Sequence, residues 1–136
     1  MEAYQEYARR WSFKHPQPHD LFNTFNDALG KNYDWFWTTM FFNTWTLDQA
    51  ISDVADGSDG VIVTVEDKGL SPFPVPIRVT YADGTIVEEI VPSDEWLSDN
   101  VETKVYFESG TVTRVEIDPE KFLPDVDRSN NVWEKQ

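Results

Sequence analysis

VPIRVTYADGTIVEEIV, residues 75–91, alternates apolar and polar side chains on both sides of a turn, and its reading decides the second half of the chain. Val75, Ile77, Val79 and Tyr81 share one side of an extended segment. Asp83-Gly84 is a strong signal for a two-residue type I′ turn, and Thr85 to Val91 returns as the partner strand. That turn sets Arg78 opposite Glu89 on the exposed face. It also puts Glu88 between Ile86 and Ile90 on the buried face, which implies a bulge or a rim position. Pro72, Pro74 and Pro76 fall on alternate residues. Proline has no N–H to give a ladder, so the segment is predicted to be an edge or lead-in strand and not a central one.

The same period of two extends to both sides. Val61, Val63 and Val65 alternate with Ile62, Thr64 and Glu66, and Val101, Thr103, Val105 and Phe107 alternate again. Ser109-Gly110 turns the chain, Thr113, Val115 and Ile117 come back, and Asp118-Pro119 stops that strand. Roughly seven strands with turn signals every 8–12 residues predict an immunoglobulin-like antiparallel β-sandwich over residues 46–136.

Residues 1–45 have helical periodicity. Tyr4, Ala8 and Trp11, with Tyr7 alongside, form one apolar stripe that ends near Lys14, because His15 precedes Pro16. A second helix begins at Pro18, with Asp20 in its first turn, and presents Leu21, Phe22, Phe25, Ala28 and Leu29 on one face. Gly30 is a left-handed cap, with Lys31 near the carbonyl end. A third helix is predicted from Asp34, as N-cap, to about Asn43. The fold class is therefore α+β: about three helices, then the sandwich.

Composition narrows the function. The 136 residues carry 25 acidic against 11 basic side chains, a net charge of -14, so the chain repels phosphate backbones and anionic lipid. Nucleic acid is excluded as a partner. There is no cysteine, hence no disulfide and no thiolate metal site. No apolar run approaches the ~20 residues of a membrane span. MEAYQEYARR lacks the cationic-then-apolar order of a signal peptide, so an export signal would lie elsewhere.

No catalytic set and no metal set emerges. His15 and His19, four apart in HPQPHD, have the spacing of a zinc pair, but Pro16 and Pro18 break the helix that would aim both rings together. DVDRSNN, residues 125–131, alternates oxygen ligands as calcium loops do. An EF-hand needs Gly where Asn130 stands and Glu where Gln136 stands, so bonds from these side chains to the backbone are the expectation. Carboxylate pairs (Asp94 with Glu95, Glu88 with Glu89, Asp125 with Asp127) arise by chance among so many acids and are ordinarily solvated.

DWFWTTMFF, residues 34–42, is different. On a helix Phe36, Met40 and Asn43 share one face, Trp37 and Phe41 another, and Trp35 and Phe42 point further round. A helix apolar on nearly every side is buried on nearly every side. It is either the core of a self-contained domain or a surface that packs against other helices.

The residues also carry a family likeness. RRWSFKHPQPHDLFNTFNDALGKNYDWFWTTMFF, residues 9–42, followed by TLDQAI, residues 46–51, resembles the last helices of the catalytic domain in aminopeptidase N-like zinc metallopeptidases, the gluzincins, and the strand that enters their sandwich domain. PFPVPIRVTYADGT, residues 72–85, and VEIDPEKFLPDVDRSNNVW, residues 115–133, are similar to that sandwich and its end. The likeness runs in order from about Trp11 to Trp133. It implies a C-terminal piece of such an enzyme without the zinc-binding H-E-x-x-H and the G-x-M-E-N-like loop, which would lie upstream. No cofactor is then expected in this chain, and zinc belongs to the parent, for which a bacterial periplasmic or secreted location is the expectation. The partner implied is the N-terminal catalytic domain, met through Trp11, Phe13, Trp35, Phe36, Trp37, Phe41 and Phe42. In isolation the helical segment is expected to self-associate. The competing class is a free-standing immunoglobulin-like binding module with a helical arm.

Overall fold

The computed structural model describes residues 1–98 and 100–136. The chain divides into two compact units, Met1–Thr44 and Trp45–Gln136. The first holds helices α1 (Glu2–Trp11), α2 (Pro18–Leu29) and α3 (Asp34–Phe42). Among the described residues the second holds seven strands: β1 (Gln49–Asp56), β2 (Val61–Asp67), β3 (Val75–Tyr81), β4 (Ile86–Val91), β5 (Glu102–Phe107), β6 (Val112–Ile117) and β7 (Val132–Glu134). They form two sheets, ordered β1-β2-β5 and β4-β3-β6-β7, with antiparallel pairing throughout. The chain is α+β, helices first and a β-sandwich after them. None of the described helices is long and apolar enough to cross a membrane.

The β3–β4 hairpin differs from its sequence reading by one residue. Tyr81 N–H donates to Thr85 O at 2.9 Å and Gly84 N–H to Tyr81 O at 3.0 Å, so the loop is Ala82-Asp83-Gly84. Gly84 has φ 88, and the Asp83 carboxylate accepts Thr85 N–H at 2.9 Å. This is the three-residue hairpin, in which a left-handed glycine follows the turn. Side chains alternate with period two, so one added loop residue exchanges the faces of the whole return strand. Arg78 pairs with Glu88 and Ile77 with Glu89. Val87 and Val91 turn inward, whereas Ile86 and Ile90 are exposed. Glu88 needs no bulge: it lies on the solvent face, 2.6 Å from Arg78.

A second correction concerns the prolines. β3 is central, flanked by β4 and β6, although it contains Pro76. The Pro76 carbonyl accepts Asp118 N–H at 2.8 Å, one residue past the end of β6. Its ring nitrogen, on the same side of the strand, therefore faces the place where the ladder stops, and no bond is lost. Pro72 and Pro74 precede the strand.

The core joins both sheets. Val61, Val63, Val65 and Phe107 come from one, and Val75, Ile77, Val79, Tyr81, Val91, Val112, Val115 and Ile117 from the other. A register shift between Thr80 and Tyr81 brings Val112 inward where the sequence suggested Thr113. Trp96 closes the cluster from the β4–β5 connection. Tyr81 is buried, and its hydroxyl donates to Glu108 O at 2.9 Å.

The chain enters this unit through a stitched segment. Leu47 O accepts Val126 N–H at 2.9 Å, and Asp48 O accepts Lys68 N–H at 2.8 Å. Gln49 N–H donates to Asp125 Oδ2 at 3.1 Å, and Asn130 Nδ2 to Asp48 Oδ1 at 2.8 Å. Residues 46–49 are thus bonded both to the loop after β2 and to the segment before β7. Gly69 makes the approach possible, since a Cβ there would lie 2.1 Å from Thr46 O.

The hairpin register has a direct test. Ile77 is 1% exposed and Ile86 58%. Ile77→Ala is expected to lower the unfolding free energy in urea by about 2–5 kcal/mol. Ile86→Ala is expected to change it by less than about 0.5 kcal/mol. A loss from Ile86→Ala as large as that from Ile77→Ala would restore the two-residue turn.

Candidate functional site: an aromatic surface on the helical unit

The helical unit is built on α2. Pro18 occupies its first position, and Asp20 reaches back to accept Gln17 N–H at 2.7 Å, closing a capping box. Gly30, at φ 63, ends it as the left-handed cap. α1 lies on α2 by a different stripe from the predicted one. Ala3 is buried and Glu6, Tyr7, Arg10 and Trp11 are half-buried, while Tyr4 and Ala8 are exposed. Arg10 pairs with Asp27 at 2.7 Å, and Trp11 Nε1 donates to Thr24 Oγ1 at 3.1 Å. Arg9 and then Arg10 hold the Glu6 carboxyl down to about 2.

α3 is held by one amide. Asn26, on α2, accepts Tyr33 N–H at 3.1 Å and Trp37 Nε1–H at 3.0 Å through Oδ1, and donates to Asp34 Oδ1 at 2.9 Å. The N-cap of α3 is Tyr33, not Asp34. Asp34 instead takes the Asn26 bond, and its own N–H goes to Asn32 Oδ1 at 2.7 Å.

Phe22 is the hub of the rings. It is buried, stacks on Trp37 at 4.9 Å and 18°, and meets Phe41 at 5.2 Å, Phe42 at 6.1 Å and His19 at 5.6 Å. Phe36 adjoins Trp37 at 5.1 Å and Trp35 at 5.9 Å. Five of the seven predicted surface residues (Trp35, Phe36, Trp37, Phe41 and Phe42) therefore belong to one connected set of rings. Trp11 is spent on Thr24, and Phe13 stands fully exposed at φ 62 just after α1. The buried residue of α3 is Thr39 rather than a ring, and Phe41 and Phe42 stay 59% and 60% exposed. Sequence reasoning missed Phe22 and Asn26 as members. An asparagine inside a helical pattern is only a neutral residue until a second helix brings donors to it.

Such a surface offers apolar contact. His15 and His19 are both exposed, and His19 leans on Phe42 at 5.9 Å. Among the described residues no three His, Cys, Asp or Glu side chains converge as a metal set. The 125–131 segment is folded by its own side chains: Asp125 Oδ1 accepts Asp127 N–H at 2.9 Å, and Asp127 Oδ1 accepts Ser129 N–H at 3.0 Å.

In the sandwich, Asp67 is the carboxyl that burial perturbs. Its pKa is pushed up to about 6 by loss of solvent, and nearby Asp48 adds to the rise. The N–H groups of Leu70 and Gly69 pull the other way, with Leu70 at 3.0 Å. The group closes the turn after β2, a structural task.

Two outcomes follow from these contacts. Asn26→Ala is expected to destabilise the docking of α3 by about 1–3 kcal/mol, seen as faster amide exchange across residues 33–42 with the sandwich amides unchanged. Asp67 binds its proton more tightly folded than unfolded, so it stabilises the fold as pH falls through 6 and opposes it above. Asp67→Asn is expected to raise stability at pH ~7.5 by no more than about 3 kcal/mol, the gain vanishing near pH ~4. Urea titrations across that range measure it, and a gain equal at both ends would remove the titration from the account.

Comparison with protein-family models, with curated proteins and with solved structures found no match for this chain.

Proposed function

We infer that this chain is the non-catalytic C-terminal region of an aminopeptidase N-like zinc metallopeptidase, with a packing role. Its helical unit docks on the catalytic domain of the same polypeptide. One observation carries the reading: Met40, Phe41 and Phe42, consecutive on α3, are each more than half exposed beside a buried Phe22. Rings of this size present roughly 150–250 Å² each, so these side chains together expose roughly 300 Å² of apolar surface. Patches of that size are commonly binding surfaces. The ordered sequence likeness supplies the identity of what would cover it. Zinc and the groups that act on substrate would belong to the upstream domain, and the residues of this chain would position it.

Reading the coding DNA upstream of Met1 is the direct test. An in-frame H-E-x-x-H supports the assignment, and a stop codon with no such motif favours the free-standing module. The isolated chain supplies a second test. It is expected to bind a hydrophobic dye, and to associate more strongly as salt screens its charge over roughly 10 Å and less. Phe41→Ser and Phe42→Ser are expected to weaken both effects. A chain that stays monomeric at every salt and binds no dye would overturn the packing role. The chain is also expected to hydrolyse no aminoacyl substrate. One zinc per chain, lost on His15→Ala, would overturn the non-catalytic assignment.

A further inference from the structure

The outer face of the β4-β3-β6-β7 sheet carries a groove of about 610 Å³, lined chiefly by Pro76, Arg78, Glu88, Ile90, Pro119 and Phe122. Ile90 is 64% and Phe122 84% exposed, so two large apolar side chains stand open to solvent here. Phe122 is not on a loose tip. The backbone beside it is strained, with Asp118 at φ 45 and Lys121 at φ 57. Such a conformation persists only where its surroundings hold it.

What holds it is the Asp118 carboxylate, 2% exposed. It accepts Phe122 N–H at 3.0 Å and Leu123 N–H at 2.9 Å, and pairs with Arg128 at 3.0 Å. Arg128 also bonds Leu123 O. A buried, fully engaged carboxylate thus clamps a strained loop whose result is an exposed phenylalanine. Fixing an anchor in advance removes the ordering cost that weakens binding by flexible loops.

The charge around the anchor selects its occupant. Arg78 meets Glu88 at 2.6 Å and Glu120 at 2.8 Å within the groove. Two carboxylates stand against one guanidinium, and Asp118 is matched by Arg128, so the groove is left negative. A second copy of this chain, at net charge -14, is a poor match. We propose that this groove docks a segment of a partner protein in which a lysine or arginine neighbours a bulky apolar side chain. The apolar group packs between Ile90 and Phe122, and the cation meets Glu88 and Glu120. This surface is separate from the helical unit and does not depend on the reading given for it.

The test titrates the isotopically labelled full chain with three short capped peptides, alternating lysine–phenylalanine, lysine–serine and glutamate–phenylalanine. The lysine–phenylalanine peptide is expected to shift amides of β4 and residues 118–123. Phe122→Ala is expected to weaken it about tenfold or more. Glu120→Lys is expected to weaken it by about fivefold. Phe41→Ser on the helical unit is expected to leave it unchanged. Because the Phe122 ring is exposed, Phe122→Ala should keep the urea midpoint of the parent chain. The lysine–serine peptide is expected to bind about tenfold more weakly. Equal binding of the lysine–serine peptide, or of the glutamate–phenylalanine peptide, would overturn the proposal. So would binding insensitive to Phe122→Ala, or self-association that Phe122→Ala abolishes.

Discussion

The left-handed backbone at Gly84 determines which face of the β3–β4 hairpin is turned inward. With three residues in the loop, Val87 and Val91 join Val75, Ile77 and Val79 on the inner side, and Ile86, Glu88 and Ile90 are left outside. The packed cluster shared by the two sheets follows from this choice. So does one ion pair of the outer face, Arg78 with Glu88. One loop residue fewer would put two isoleucines and a glutamate into the core and empty the groove beside Phe122. A turn that requires positive φ is therefore as consequential as any buried valine.

The helical unit works under a different constraint. It is too small to surround its rings, so it organises them around one buried phenylalanine and one amide. Phe22 gathers Trp37, Phe41 and Phe42, and Asn26, one turn further along α2, satisfies the backbone entry and the indole of α3. The rings are thereby fixed while much of their area stays in water. A flexible cluster of the same residues would present the same area with no defined shape.

Legibility in the sequence followed how local each signal was. Pro18 and Gly30 mark the ends of α2 because capping needs only neighbours along the chain. The alternation in β2, β3 and β5 was readable for the same reason. The hairpin register was not, because Asp-Gly suits two loops that differ by one residue and each looks favourable alone. Pro76 argued against a central strand, and only the end of β6 opposite it removes the penalty. On α1 the packed side carries Glu6 and Arg10, whose stems cover α2 while their charges pair, so a search for apolar residues chose Tyr4 and Ala8 instead. Of the interaction surface, the ring-rich stretch was plain from composition. Phe22 and Asn26 gain their roles only from a second helix, and Phe122 gains its own from a carboxylate four residues earlier.

The stitched entry segment gives the sandwich a mechanical property. Residues 46–49 are bonded to the turn after β2 on one side and to the chain before β7 on the other. Tension applied through Trp45 reaches Leu47 and Asp48 before it reaches the β1–β2 ladder. It is shared at once between the first and last stretches of the unit, so the load bypasses the single edge strand that would otherwise peel bond by bond. The fold thus resists being unzipped from its own beginning.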